Sequence, residues 1–160
     1  MDDTDERFSI EKVDPLCPNT MQLLHAFRAE MMARCWDLIG PSGPPPPEPE
    51  SGPRSVCLLV TFDALPVAGG AIRELEGSIA EIKRVYVLPQ FRRRGLARWL
   101  LAELERHAVE SNFQLLRLET GRRQPEALAL YEVCGYAQIA PYGRHVGDPM
   151  SVCFEKVLIG

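Results

Sequence analysis

Gln90-Phe91-Arg92-Arg93-Arg94-Gly95-Leu96-Ala97 is the stretch on which the reading of this chain turns. It follows a strand-like segment, Ile79 to Leu88, and opens a helix-like one, Arg98 to Val109. The first N–H groups of a helix have no acceptor inside the helix. They point outward with the positive end of the helix dipole, and together they attract phosphate. Gly95, and the small Ala97 two residues on, leave room for a pyrophosphate to approach the backbone. The arginines add charge. The stretch therefore predicts a site for a phosphorylated cofactor, and a solvated basic patch is the alternative reading of the three arginines.

The bulk numbers bound the rest. A chain of 160 residues is one domain of ordinary size, read as a single unit over 1–160 with a core of its own. Hydrophobic residues make up 46% and charged residues 25%, the balance of a water-soluble globular protein. The net charge of −4 argues against a general nucleic-acid binder, whose domain is usually basic. No apolar run is long enough to cross a membrane. The acidic start, Met1-Asp2-Asp3-Thr4-Asp5-Glu6, lacks the charged and apolar regions of a secretory leader. The five cysteines, Cys17, Cys35, Cys57, Cys134 and Cys153, show no metal-ligand spacing. They read as reduced core thiols, so the expectation is a cytoplasmic protein without a metal.

Working outward, Phe8 to Val13 is a short strand. Asn19 is placed to cap a helix from about Thr20, with Gln22 at the capping-box position. Leu24, Phe27, Met31, Cys35 and Leu38 recur at helical spacing and give it one apolar face, read as core. Pro41 to Pro53, with four consecutive prolines, reads as a loop or polyproline connector within the domain. Ser55 to Phe62 and Val67 to Glu74 are strands joined by Asp63-Ala64-Leu65-Pro66, a hairpin signal. Ser78 to Leu88 is a third, turned back across Glu76-Gly77 and ended by Pro89. Leu96, Leu100, Leu104 and Ala108 line one face of the helix after the opening stretch. Phe113 to Glu119 is a strand. Pro125 suits the first turn of a helix running to about Cys134, capped by Gly135. Tyr136 to Ile139 and Val152 to Leu158 are the last strands. This order gives a mixed α/β domain with helices on both faces of the sheet.

Three phosphate loops compete for the opening stretch. A dinucleotide fold requires Gly-x-Gly-x-x-Gly after the first strand, and neither spacing nor position agrees. A P-loop requires Gly-Lys-Ser/Thr, and no lysine or hydroxyl residue follows Gly95. Arg92-x-x-Gly95-x-Ala97 instead resembles the Arg/Gln-x-x-Gly-x-Gly/Ala signature of the GCN5-related N-acetyltransferases, the GNAT superfamily. Further blocks agree in order and spacing. Glu81-Ile82-Lys83-Arg84-Val85-Tyr86-Val87 is similar to the family's bulged fourth strand, and Leu116-Arg117-Leu118-Glu119 to its fifth. Ala127-Leu128-Ala129-Leu130-Tyr131 through Gly135-Tyr136 is similar to its Ala-x-x-Leu-Tyr-x-x-x-Gly-Phe/Tyr block. Pro141-Tyr142-Gly143 through Lys156 resembles a large bacterial subgroup without a single established substrate.

The resemblance implies a mostly antiparallel sheet of about six to seven strands, with a V-shaped opening between the fourth and fifth. It implies acetyl-CoA as co-substrate. The pyrophosphate would meet backbone N–H groups along Arg93, Arg94, Gly95, Leu96, Ala97 and Arg98, with Arg92 counted in the same cofactor-binding loop. The pantetheine arm would lie beside Val85, Tyr86 and Val87, with the Val87 N–H polarising the thioester carbonyl. Gln124 stands where many members have an asparagine that touches this arm. Tyr131 occupies the place of the general acid that protonates the departing thiolate. Glu81 matches a strand position where some members carry the base. A strand glutamate facing solvent, or pairing with Lys83, is the equal alternative. His145 in the last loop reads as solvated. The implied activity is N-acetyl transfer, by direct attack in a ternary complex, to a small-molecule amine or a peptide or protein amine. The alternative is a non-catalytic acyl-CoA-binding sensor or interaction module. No nucleic-acid or membrane partner is implied, and a homodimer is compatible with the resemblance.

Overall fold

The structure, a computed structural model, describes residues 6–39 and 52–158; the side chains of 36, 38 and 39 lie outside the description. In chain order the elements are β1 (Phe8–Val13), α1 (Pro18–Ile39), β2 (Val56–Phe62), β3 (Leu65–Glu76), β4 (Ile79–Val87), α2 (Leu96–Glu110), β5 (Leu115–Gly121), α3 (Pro125–Val133), β6 (Ala137–Ile139) and β7 (Ser151–Val157). The strands form one sheet in the order β1-β2-β3-β4-β5-β7-β6, antiparallel at every pairing except β4–β5. This is the α/β fold expected from the sequence, with seven strands. The proline-rich segment 41–53 falls almost wholly outside the described residues, as does the side chain of Leu38. No described helix is long and apolar enough to cross a membrane.

Local chemistry explains most boundaries and the places where the sequence reading shifts. The β2–β3 turn is tighter than the four-residue loop expected: Asp63 and Ala64 both take left-handed φ values, 49° and 69°, and Phe62 pairs directly with Leu65. Two left-handed residues make the turn whose twist matches that of the flanking strands. Pro66 sits inside β3 beside a register shift, where no ladder N–H is required of it. Helix α1 begins at Pro18 rather than Thr20, so Asn19 lies within its first turn and does not cap it. The Cys17 carbonyl accepts the Met21 N–H at 3.0 Å instead. The helix breaks at Cys35, whose φ and ψ of −128° and 23° leave the helical region.

The sheet buries both faces. Val56, Leu58, Val60, Ala68, Ile72, Ala80, Ile82, Leu116, Leu118 and Phe154 meet Leu96, Leu100, Leu101 and Leu104 of α2 on one side. Leu59 and Tyr86 meet Leu23, Ala26 and Phe27 of α1 on the other. Two adjacent glycines of β3 let both helices come close. A Cβ on Gly69 would stand 3.3 Å from Leu23, and one on Gly70 would stand 3.3 Å from Leu104. Interiors are packed tightly enough that one added carbon at such a place is felt.

Candidate active site

Two departures from regular pairing open the sheet. Along β3 and β4 the register passes from Gly69↔Tyr86 to Ala71↔Lys83, so β4 carries an extra residue. Arg84, with φ 61°, marks that bulge, slightly before the Val85–Val87 position expected. A bulge bends its strand and increases its twist. The parallel ladder of β4 with β5 holds only from Ile79↔Leu115 to Glu81↔Arg117. Beyond it β4 continues to Val87 on β3, and β5 continues to Gly121 on β7. The gap between them is the V-shaped opening. Leu88 donates its N–H to Val67 of β3 at 2.9 Å, so strand alternation turns the Val87 N–H and carbonyl away from β3, toward the gap. The Val85 side chain packs toward Gly70, and Tyr86 points to the α1 face.

The stretch from Gln90 to Ala97 lies at the mouth of this gap. Gly95 precedes α2 with φ 79°, and no side chain caps the helix. Arg93 is also left-handed, at φ 66°. Alternating backbone hands of this kind turn successive N–H groups into one concavity, a shape that holds anions. Leu96 is buried and anchors the turn, Ala97 is half-buried, and Arg93, Arg94 and Arg98 are exposed. Arg92 is engaged elsewhere. Its Nη2 donates to both carboxylate oxygens of Glu30 at 2.7 and 2.9 Å, and its Nε donates to the Val87 carbonyl at 2.9 Å. The first arginine of the run thus clamps α1 to the end of β4.

The far wall is formed by β5 and α3. Tyr131 is buried against Tyr136 and Phe154, with ring centroids at 5.8 and 5.9 Å. Burial pushes its phenol well above the ordinary tyrosine range, so it keeps its proton at neutral pH. Gln124 stands directly before α3, where its carbonyl accepts the Ala127 and Leu128 N–H groups and its side-chain amide faces Gly121. Helix α1 crosses toward this wall. Asp37 pairs with Arg123 at 2.5 Å, and Arg34 pairs with Glu126.

Glu81 sits at the last rung where β4 and β5 still pair, only 2% exposed. Arg73 Nε and Nη2 reach its Oε1 at 2.9 and 2.7 Å, Lys83 Nζ lies at 3.6 Å, and the Tyr142 hydroxyl donates to Oε2 at 2.5 Å. Burial raises the carboxyl, but the Tyr142 hydrogen bond, the Lys83 charge and Arg73 together outweigh it and hold Glu81 below the usual carboxylate range. Of the alternatives to a base, solvent exposure is excluded, and the Lys83 contact is present at a longer distance than the Arg73 and Tyr142 bonds. His145 is not solvated: its side chain is 12% exposed, it packs edge-on against Tyr142, and its Nδ1 lies 3.5 Å from Glu119 Oε2. No site role was expected from the sequence for Glu30, Arg73, Arg117 or Tyr142. The alternation of β3 puts Arg73 and Gly69 on one face, a findable signal. Tyr142 comes from a connector without periodicity, and nothing local points to it.

The model of the acetyltransferase (GNAT) family matches residues 26–136, which hold the bulge, the loop and Tyr131. An IAA acetyltransferase of Azospirillum brasilense is 39% identical over 93 residues, 58% of this chain and 61% of that protein. The uncharacterized N-acetyltransferase YjgM of Escherichia coli is 37% identical over 92 residues, 56% of this chain and 55% of its own length. The matched part thus spans little more than half of these relatives. Among solved structures, a Klebsiella pneumoniae protein assigned to the acyl-CoA N-acyltransferases superposes with a TM-score of 0.79 at 31% identity, covering 95% of this chain and 98% of that one. A GNAT family acetyltransferase from Elizabethkingia anophelis, solved with acetyl-CoA bound, shares the fold at 14% identity, with a TM-score of 0.68 over 96% and 100% of the two chains.

Proposed function

Because this chain belongs to the acetyltransferase (GNAT) family, we propose that it moves an acetyl group from acetyl-CoA to a primary amine, by direct attack in a ternary complex. The observation that carries this reading is one juxtaposition. The gap between β4 and β5 opens beside an uncapped helix N-terminus preceded by left-handed Gly95, with the protonated Tyr131 on the opposite wall. Acetyl-CoA supplies the activated acyl group as a thioester. The concavity from Arg93 to Arg98 fits a pyrophosphate, and the exposed arginines add charge around it. Main-chain groups of Val85 and Val87 supply ladder partners for the amides of an extended arm. The Val87 N–H is a preorganised donor for a carbonyl developing charge, a contribution of about 3–4 kcal/mol where such donors have been removed.

Two proton movements complete the reaction. The acceptor nitrogen gives up a proton as its bond to the acyl carbon forms, and Glu81 takes it through water. As the carbon–sulfur bond breaks, the Tyr131 phenol protonates the leaving thiolate. The acceptor is proposed to be a small-molecule or peptide amine, with the protein acting in the cytoplasm and no metal in its chemistry. A homodimer belongs to the same proposal.

A non-catalytic acyl-CoA-binding module is the second reading, and one observation favours it. Both Glu81 oxygens already carry strong donors, a state suited to a structural carboxylate. Thiol release from acetyl-CoA separates the two. The assay uses a panel of polyamines, aminoglycosides, amino acids and peptide N-termini, with IAA added because one relative is named for it. Release with at least one panel member supports the enzyme. Acetyl-CoA binding with no release from any of them supports the module.

A further inference from the structure

The residue bonded to Glu81 from furthest away in the chain is Tyr142, 61 positions on, in the connector between β6 and β7. A carboxylate 2% exposed is costly to keep charged unless both oxygens find donors. The donors here are divided by element. Arg73 of β3 serves Oε1 through two N–H groups, and Lys83 of β4 stands 3.6 Å from the same oxygen. The hydrogen bond to Oε2 comes from Tyr142.

The tyrosine is itself held in place. Arg117, the register partner of Glu81 on β5, lies over its ring at 5.6 Å, and His145 meets the ring edge-on at 5.6 Å. His145 leans on Glu119, which also accepts the Ser151 hydroxyl at 2.8 Å. Asp148 accepts the Met150 N–H at 2.9 Å, and Arg122 Nε donates to the Pro149 carbonyl at 2.5 Å, which ties the connector to the end of β5. Among the described residues, the titratable and charged groups around Glu81 and its donor include Arg73, Lys83, Arg117 with its partner Glu155 at 3.2 Å, Glu119, His145 and Cys153. Burial, then the bond to Glu81, keeps the Tyr142 phenol protonated, so it acts as a donor.

We propose that Tyr142 is the positioning residue of Glu81: its hydroxyl fixes the direction of the carboxylate and sets how tightly it binds a proton. The β6–β7 connector is then a working part of the acceptor side of the site. The catalytic consequence rests on Glu81 being the base, whereas the positioning itself does not.

The test titrates the Glu81 carboxyl carbon by 13C NMR in the full-length protein, with its signal assigned by its loss in Glu81→Gln. Tyr142→Phe removes the hydroxyl and keeps the ring. The expected result is a rise in proton affinity of about tenfold, the size of one charge-assisted hydrogen bond. Site-specific replacement of Tyr142 by 3-fluorotyrosine makes the hydroxyl a stronger donor, and the affinity is expected to fall. Where Tyr142→Phe fails to fold, the fluorinated protein decides alone. A Glu81 midpoint that stays at its wild-type value in the variants that fold overturns the proposal. The acid limb of the kcat/KM profile, measured by thiol release with the amine accepted from the panel, separates the two readings. A limb that follows the NMR midpoint in each protein supports both. A midpoint that moves under a stationary limb removes Glu81 as the base and leaves the positioning intact.

Discussion

Arg92 opens the signature loop, yet its guanidinium is spent on protein groups, and this division of labour can be measured. Arg92→Met deletes two hydrogen bonds to the Glu30 carboxylate, one to the Val87 carbonyl and a ring contact with Tyr86 at 5.6 Å. Exposed ion pairs are worth about 0.2–1 kcal/mol, and hydrogen bonds to charged groups about 1.5–3 kcal/mol. The Arg92 and Glu30 side chains are 31% and 25% exposed, which places their pair between those limits. A loss of about 2 kcal/mol follows, enlarged by the unpaired Val87 carbonyl. For a chain of this length that is a fall in Tm of about 4–8 °C. Calorimetry on Arg92→Met, Glu30→Gln and the double variant isolates the pair, and the two losses are expected to overlap by about 1–2 kcal/mol. Acetyl-CoA affinity, by titration calorimetry at two salt concentrations, is expected to change less than about threefold, or about 0.7 kcal/mol. An unchanged Tm together with a loss of affinity of tenfold or more would refute the reasoning and make the Arg92 side chain a phosphate ligand.

Three further outcomes follow from the geometry. Tyr131→Phe is expected to lower kcat by about a hundredfold, the lower range of general acid catalysis, while the acetyl-CoA Kd stays within about twofold; unaltered single-turnover rates would remove the tyrosine from the chemistry. The Glu81 carboxyl is held below the ordinary glutamate value of about 4.3, so its stabilisation is present above that pH and is lost as pH falls through the lower folded value. Urea midpoints should accordingly separate wild type from Glu81→Gln at pH 7 and converge in acid, and a gap independent of pH would contradict the sign. Gly70→Ala places a carbon 3.2 Å from Val85, 3.3 Å from Leu104 and 3.4 Å from Leu100. It is expected to cost about 1–3 kcal/mol in urea unfolding, where a neutral substitution would show that α2 gives way.

What the sequence made legible was local. The run from Gln90 to Ala97 and the stripe Leu96, Leu100, Leu104 and Ala108 place α2 on its face of the sheet, because the period and the turn residues lie within a few positions of one another. The helix that carries Tyr131 was legible for the same reason, bounded by Pro125 and Gly135, whereas the role expected of Tyr131 came from the family resemblance. The hairpin at Asp63 was recognised, but its tightness was not, since an alanine gives little warning of a left-handed φ. The links that assemble the site span long stretches of chain: 62 residues from Glu30 to Arg92, 61 from Glu81 to Tyr142, and 86 from Asp37 to Arg123. No periodicity encodes such pairs. They depend on how α1, β4, β5 and the β6–β7 connector pack against one another, and tertiary structure alone sets that. Arg92 shows the same limit in miniature, for its position in the motif was legible and its partner Glu30 was not.

The ladder between β4 and β5 stops after Glu81 and Arg117. A strand edge is ordinarily found at the rim of a sheet, where its bare N–H and carbonyl groups recruit other strands. Here two such edges face each other in the middle of the sheet. What the gap presents is main chain, and main chain is the same whichever residue carries it. Side chains along both lips are therefore free to diverge without erasing the feature, so proteins of this shape can drift far apart in sequence, and in what they act upon, while the slot itself persists.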